Sequence, residues 1–532
     1  MSGMKRRTVL AGAASLAASG LARPAIAQPA ASRALRFVPE SGLQQGDPIW
    51  TTTTIARNHG FLVWDTLYGL DEALQPRPQM CAGHEVSDDG RTWRFRLREG
   101  LSFHDGAPVR AVDCVASIRR WMQRDGFGRQ IAAQLDELGV LDDAQFQFRL
   151  LRPFPRMLRA LAKPVASVLF IMPERVAQTS PEIEITDFTG SGPFTFLADE
   201  FRPGVRAAYA RNVRYQPRQE PASFTAGGKV VRMDRIEWTA FPDPAMTASL
   251  LADGEQDWWQ APIADLLPVL RASRGVTVRT IDRAGVVAIL RFNCIQPPFD
   301  NAALRRAILP AIDQQEYMHA AMGEATEGYH TGVGVFTPGS PLASDAGLTV
   351  LTGPRDPALA RRLVRESGYA GEPVVLLAPV DHPAIEALCQ VTRDLFAALG
   401  LNVQYVPVEW AGLVQRRASR EPAEQGGWSA FCTTCEALSF DDPGGHYPIF
   451  GNGAQAWYGW PTSPRLEALR SAWFAAADLA AEKQVAQDIQ LAVWQEAPYV
   501  PLGQLVPPTA FRADLSDLGS SPFPVFWGVR KP

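Results

Sequence analysis

Strand-like and helix-like segments alternate through the second half of this 532-residue chain. Apolar runs of strand length lie at residues 285–292, 374–378 and 401–408. Helical spacing of apolar residues lies between them, at 300–310 and 383–399, with Asp300 expected to cap the first helix and Gly400 to end the second. This alternation is typical of an α/β lobe, and the chain is long enough for more than one such core.

The N-terminus has the composition of an export signal. Lys5, Arg6 and Arg7 precede a weakly apolar segment at 9–22, and residues 25–27 (Ala-Ile-Ala) offer the small side chains that a signal peptidase reads. The pattern predicts a signal peptide at residues 1–27, of the twin-arginine type, with a Sec signal as the alternative. We therefore expect a periplasmic protein. No later run is long and apolar enough for a bilayer span.

The charge balance argues against nucleic acid as a partner. The formal net charge is −4, and removing residues 1–27 would take away four basic residues and no acidic ones. Phosphate binding favours a basic face, which an acidic chain of this kind is not expected to offer.

Segment 426–450 (GGWSAFCTTCEALSFDDPGGHYPIF) mixes aromatic rings, hydroxyls, thiols and carboxylates. A hydrophobic core does not need that mixture, because buried polar groups must find hydrogen-bond partners. A wall that faces a small ligand does need it. We therefore interpret this segment as one wall of a binding cleft.

Cys432 and Cys435 are the one closely spaced pair among six cysteines. The pair could be a redox dithiol or part of a metal site, a structural disulfide, or two free thiols. Glu436 follows directly and would raise a thiol pKa, and a zinc site needs more ligands than this segment offers. We expect no metal and no cofactor. A secreted enzyme or redox protein using Cys432 and Cys435 is the alternative function.

Five motifs follow one another along the chain. They are DDGRTWRFRLREGLSFHDGAPVRAVDCVASIRRW at 88–121, GSGPF at 190–194 with RNVRY at 211–215, FNCIQPPFD at 292–300 with AID at 311–313, DPALARRLVRESGY at 356–369, and APYVPL at 497–502. Together they resemble the extracellular solute-binding proteins of family 5, the receptors of peptide, nickel and related ABC importers.

The resemblance implies a non-enzymatic, two-lobed α/β binding protein of the large three-domain class, with discontinuous lobes. One lobe would comprise residues 34–74, 190–283 and 501–532, the other 284–500, and a smaller inserted domain 75–189. Chain crossings near 284–291 and 498–503 would form a hinge. It further implies a small-molecule ligand captured by hinge closure, membrane permease subunits as partners, and a monomer.

The sequence departs from the family at two positions that matter for the ligand. Peptide-binding members commonly carry an aspartate just after the Gly-Trp pair, whereas Ser429, Ala430, Phe431 and Cys432 follow here. An arginine that holds the ligand carboxylate in some dipeptide-binding members is replaced here by the pair at 381–382 (Asp-His). We therefore expect a neutral or weakly charged, partly aromatic or amphipathic solute rather than a peptide with a free α-amino group.

The candidate ligand-contacting residues come from four parts of the sequence: the hydroxyl-rich loop at 50–54, the family motif near 293, the pair at 381–382, and the proposed wall. They are Trp50, Thr51, Thr52, Asn293, Asp381, His382, Trp428, Ser429, Phe431, Cys432 and Thr433.

Overall fold

The computed structural model of the chain describes residues 33–165, 167–323, 328–519 and 521–532. The predicted signal peptide at 1–27 lies outside these residues. Among the helices that are described, none is long and apolar enough to cross a membrane.

The strands and α-helices are numbered in chain order. The strands are β1 Ala34–Val38, β2 Tyr68–Leu70, β3 Pro76–Pro78, β4 Cys81–Val86, β5 Thr92–Leu97, β6 Leu135–Asp142, β7 Gln145–Leu150, β8 Phe194–Phe196, β9 Arg206–Arg211, β10 Arg235–Thr239, β11 Trp258–Trp259, β12 Val276–Arg279, β13 Val286–Phe292, β14 Tyr329–His330, β15 Pro373–Pro379, β16 Asn402–Val408, β17 Ala430–Glu436, β18 Tyr499–Leu505 and β19 Thr509–Arg512. The helices are α1 Thr54–Val63, α2 Ala111–Met122, α3 Gly126–Ala132, α4 Met157–Ala162, α5 Glu174–Ala177, α6 Pro244–Ala252, α7 Leu267–Ala272, α8 Ala302–Ile308, α9 Gln314–Met322, α10 Thr349–Thr352, α11 Pro357–Glu366, α12 Pro383–Ala398, α13 Trp410–Arg416, α14 Pro464–Ala475 and α15 Leu479–Glu496.

A seven-stranded mixed sheet joins the two ends of the described chain. Its strand order is β12-β19-β11-β1-β10-β9-β8. The first strand, β1, pairs in parallel with both β10 and β11. Phe37 of β1 is fully buried, and its ring lies 5.1 Å from the ring of Trp258 and 5.0 Å from that of Phe526. These aromatic contacts pack one face of the sheet against the hydrophobic core.

A four-stranded antiparallel sheet, in the order β4-β5-β7-β6, lies in the stretch between β3 and β8. Apolar and charged residues alternate at 92–98, a pattern typical of a strand with one buried face. In β5, Trp93, Phe95 and Leu97 are buried, while Arg94 and Arg96 are exposed. The reversal between β4 and β5 requires a residue that accepts positive φ, and the turn supplies a glycine at position 90 with φ of 66°.

A six-stranded sheet, in the order β14-β18-β13-β17-β15-β16, contains the strands that the alternation predicted. Helix α12 follows β15 and leads into β16, which pairs with β15 in parallel. One detail of the prediction was wrong: Asn301, not Asp300, caps α8, because its side-chain oxygen accepts the N–H of Ala303 at 2.9 Å.

The chain crosses between the seven-stranded and six-stranded sheets twice. It passes from β12 to β13 and returns from β18 to β19. Strands β13 and β18 pair with each other, so both crossings lie side by side. The segments predicted as a hinge, 284–291 and 498–503, lie mostly within β13 and β18, next to these crossings at 280–285 and 506–508. The lobe boundaries and the hinge motion themselves stay predictions.

Candidate functional site

Two adjoining cavities lie between the seven-stranded and the six-stranded sheets. The space that a water-sized sphere can occupy is about 70 Å³ in the first and about 80 Å³ in the second. Both are lined by Glu40, Thr54, Val286 and Glu436, so we treat them as one space, called the cleft below.

The topology explains why the cleft lies where it does. Glu40 follows the carboxyl end of β1, His382 follows that of β15, and Trp410 follows that of β16. All three strands pair in parallel with a neighbour. Ligands of open α/β sheets bind outside the carboxyl ends of such strands, because loops from several strands converge there.

Aromatic rings form one wall of the cleft. Trp457 lies 5.0 Å from Tyr447 and 5.7 Å from Tyr458 between ring centroids. The rings of His382 and Trp410 lie 4.8 Å apart at another part of the same cavity. The indole N–H of Trp457 is buried and has no hydrogen-bond partner among the described residues. This wall can hold an apolar or aromatic group.

An ion pair joins the two sides of the cleft. The guanidinium of Arg57, on α1, lies 3.1 Å from the carboxylate of Glu436, at the end of β17. The geometry is that of an ion pair without an aligned hydrogen bond, and the Arg57 Nη1 has no other hydrogen-bond partner within the described residues. The face of Arg57 stacks on the Phe523 ring at 4.0 Å.

Two further carboxyl groups lie near this pair. Burial raises the pKa of Glu40, and the nearby Glu436 raises it further, although the Thr54 hydroxyl donates to it and Arg57 lies close. Burial also raises the pKa of Asp282, to about 6. This part of the cleft therefore holds more acidic groups than basic ones.

Arg417 lines the cleft at the end of α13. It is 3% exposed, and its guanidinium lies 4.6 Å from the Tyr458 ring, with Trp457 and Trp410 somewhat farther away. The faces of aromatic rings at these distances stabilise a cation. They leave the N–H groups of the guanidinium without conventional acceptors.

Arg291 of β13 positions the loop that carries Trp457 and Tyr458, called the aromatic loop below. It is fully buried, and its guanidinium donates to the carbonyls of Tyr458 at 2.6 Å, Pro448 at 2.8 Å, Pro498 at 3.2 Å and Trp457 at 3.3 Å. Burial lowers the pKa of Arg291 to about 10. One side chain therefore ties the aromatic loop and the start of β18 to the central strand.

Three of the predicted contact residues line the cleft: Thr52, His382 and Thr433. Burial lowers the pKa of His382, which keeps its imidazole neutral near pH 7. The other two predicted contacts from this loop, Trp50 and Thr51, lie outside the lining: the Trp50 carbonyl accepts a hydrogen bond from Arg124 at 3.2 Å, and Thr51 is buried. Their part in ligand binding stays a prediction.

The other predicted contacts lie within the protein framework. Trp428 is fully buried beside Phe431 and Trp460, and its indole N–H donates to two backbone carbonyls. The Ser429 hydroxyl accepts from the N–H of Val375, and Asn293 donates to the Trp428 carbonyl at 2.9 Å. Neither cavity is lined by these residues. This arrangement does not support a wall built on Trp428, and its role in binding stays a prediction.

Asp381 and Cys432 also make local contacts. Asp381 accepts the N–H of Trp410 at 2.7 Å and so caps the start of α13, which places the Trp410 ring at the cleft. The Cys432 thiol lies 3.2 Å from the Thr392 hydroxyl, in the interior between β17 and α12.

The candidate disulfide between Cys432 and Cys435 is not formed: both are free thiols. Both residues lie in β17, and side chains three positions apart in a strand point to opposite faces of the sheet. Burial raises the pKa of Cys435 to about 12, which leaves it unreactive as a thiol. Among the described residues, no cluster of histidine, cysteine and acidic side chains has the arrangement of a metal site.

The candidate contacts left out several residues that line the cleft: Glu40, Thr54, Arg57, Asp282, Trp410, Arg417, Glu436, Tyr447 and Trp457. Glu436 and Tyr447 do lie in segment 426–450, the segment predicted as one wall of the cleft. One signal could have found part of this set. Trp410 follows the strand predicted at 401–408 and Glu40 follows β1, and such positions meet at one edge of a parallel sheet. Arg57 and Arg417 carry no such signal.

The comparison with known families agrees with the resemblance in the sequence. Residues 75–457 match the family described as bacterial extracellular solute-binding proteins, family 5 Middle. The chain therefore belongs to this family of solute-binding proteins, and it is a substrate-binding protein of the ABC import type rather than an enzyme.

Similar proteins cover almost the whole chain. The probable peptide ABC transporter periplasmic-binding protein y4tO of Sinorhizobium fredii is 36% identical over 98% of both chains. The glutathione-binding protein GsiB of Salmonella typhi is 25% identical over 92% of both. The oligopeptide-binding protein AppA of Bacillus subtilis, solved with a nonapeptide, superimposes with a TM-score of 0.78 at 16% identity, covering 94% of this chain and 99% of that one. The predicted two-lobed α/β fold class is confirmed.

Proposed function

We propose that this protein is the periplasmic receptor of an ABC importer, that it captures a small peptide-like solute between two lobes, and that it delivers the solute to membrane permease subunits. The names of the similar proteins, which include a peptide-binding and a glutathione-binding protein, support this solute class. Export would depend on residues 1–27, and the receptor would act as a monomer.

The observation that carries the proposal is the cleft itself. It lies between two sheets that two neighbouring chain crossings connect, and each side contributes polar and aromatic lining. A solute that contacts both sides would favour the closed arrangement, because it binds that arrangement more tightly than an open one. Permease subunits would then recognise the closed form.

Capture from a mixture tests this function. The mature protein would be dialysed against an enzymatic casein digest, washed, and heated to release bound solutes for mass spectrometry. A retained solute should raise the unfolding temperature on re-addition, since a ligand at 100 times its Kd adds about 2.7 kcal/mol to the free energy of unfolding. Small-angle scattering should show a smaller radius of gyration with the solute. Retention of nothing from the digest would contradict a peptide-like solute.

A further inference from the structure

Arg417 differs from the other buried arginines in having no partner. Within the described parts of the chain, the others all pair with carboxylates or carbonyls: Arg57 with Glu436, Arg120 with Asp47, Arg156 with Glu482, Arg470 with Glu467, and Arg291 and Arg305 with backbone carbonyls. The Arg417 side chain makes no hydrogen bond or ion pair to any described residue, and its Nε is fully buried without a partner.

An unpaired buried charge is unfavourable, because the guanidinium loses its hydration and gains no counter-charge. The rings of Tyr458, Trp457 and Trp410 offset part of this loss through the faces of the guanidinium. These rings accept no conventional hydrogen bond from its N–H groups. Those donors therefore stay available to a group that enters the cavity that Arg417 lines.

We propose that Arg417 binds a carboxylate group of the transported solute. The planar guanidinium matches the two oxygens of a carboxylate and binds them with paired hydrogen bonds. Trp457, whose ring lies beside this guanidinium, lines the same cavity. This inference rests on the proposed function and specifies the solute for that same cleft.

Charge balance favours a carboxylate over a phosphate. Arg417 supplies a single unpaired positive charge, and the cleft also contains Glu40, Asp282 and Glu436 around Arg57. A singly charged carboxylate neutralises Arg417. A doubly charged phosphate would leave an excess negative charge near these acids.

The inference replaces our expectation of a weakly charged solute. That expectation followed from two departures: no aspartate directly after the Gly-Trp pair, and no arginine at positions 381–382, where some dipeptide-binding relatives have one. The structure offers a guanidinium to the same cleft from the end of α13 instead.

The test compares Arg417→Met with Arg417→Lys and with a control, Arg365→Met. Arg365 lies exposed on α11, and its side chain makes no ion pair or hydrogen bond among the described residues, so the control changes charge without touching the cleft. The probes are an enzymatic digest of dephosphorylated casein, the same digest with its carboxyl groups converted to amides, and inorganic phosphate.

We expect wild type and Arg365→Met to retain components of the dephosphorylated digest but not of the amidated digest. Arg417→Met should bind the retained components at least about 30-fold more weakly, and Arg417→Lys should fall between, since lysine keeps the charge but not the planar fork. Unliganded Arg417→Met should unfold at the same temperature as wild type or higher, because it loses an unpaired buried charge.

The outcomes separate this inference from the proposed function. If wild type retains nothing from either digest, the proposed peptide-like solute is wrong. If wild type retains amidated components equally well, or Arg417→Met binds as tightly as wild type, the carboxylate assignment is overturned while the receptor function stands. If inorganic phosphate displaces the retained components from wild type and from Arg365→Met alike, the cleft contains a phosphate site and the carboxylate assignment is overturned. A large loss of stability in Arg417→Met would show a structural arginine.

Discussion

Arg57 and Glu436 meet across the cleft, with 3.1 Å between guanidinium and carboxylate. Arg57 belongs to α1, which packs on the seven-stranded sheet, and Glu436 ends a strand of the six-stranded sheet. Both are buried. The attraction within a buried ion pair is largely offset by the loss of hydration. This pair can therefore hold the two sides in register without making the closed arrangement permanent.

Glu436→Gln should open the cleft in the absence of solute. The substitution leaves Arg57 buried without its counter-charge, which disfavours the closed arrangement by roughly 3–5 kcal/mol. Separation of the two sides would hydrate Arg57. We expect a larger radius of gyration by small-angle scattering. The control is Glu220→Gln, which removes one partner of an exposed ion pair with Arg218. An unchanged radius in Glu436→Gln would contradict a role for this pair in closure.

Asp282→Asn should stabilise the protein at neutral pH. Burial raises the pKa of Asp282 from 3.8 to about 6; the N–H groups of Gly285 and Ala284 and the charge of Arg57 lower it, and Glu436 raises it. The folded state therefore binds more protons than the unfolded state between these values, and wild type loses stability as pH rises through that window. Removing the ionisable group should add about 1–2 kcal/mol at pH 8.

Urea unfolding at two pH values checks this expectation. The stabilisation by Asp282→Asn should be present near pH 8 and absent near pH 4, where the aspartate is protonated in the folded protein. Asp265→Asn, at an exposed position, serves as the control and should leave the curves of wild type unchanged. A stabilisation of equal size at both pH values would rule out titration as its cause.

Thiol labelling should find no disulfide. Five of the six cysteines are buried and Cys294 is partly exposed, so native protein should react slowly at one site with a maleimide. After unfolding in urea without a reductant, all six should react. Mass spectrometry counts the adducts directly. Labelling of four would mean that a disulfide forms after all, and peptide mapping would identify its partners.

Trp428→Ala and Trp410→Ala should have different effects. Trp428 is fully buried with its N–H satisfied, so truncation should lower the free energy of unfolding by about 3–5 kcal/mol. Trp410 is partly exposed and lines the cleft, so truncation there should weaken capture from the casein digest with a smaller loss of stability. Loss of capture in a stable Trp428→Ala would instead support the sequence-based assignment of Trp428 to the ligand wall.

Local sequence patterns predicted many of the strands and helices, whereas the residues that line the cleft are brought together by contacts between distant parts of the chain. The alternation at 92–98 and the helix at α12 follow from short-range periodicity, which each segment carries in itself. The Cys432–Cys435 spacing suggested a bond because the residues are close in sequence, but strand geometry separates their side chains. Arg57 and Glu436 lie far apart in the chain, and no pattern in either segment records that they meet.

Arg291 has a consequence for how this receptor could diversify. It holds the aromatic loop by hydrogen bonds to backbone carbonyls, which every residue type possesses, and its guanidinium also lies 5.2 Å from the Trp457 ring. A substitution at Trp457 or Tyr458 leaves these hydrogen bonds in place and therefore need not disturb the path of the loop. A lineage could exchange one solute for another by changing the rings that face the cleft, while the scaffold beneath them is inherited intact.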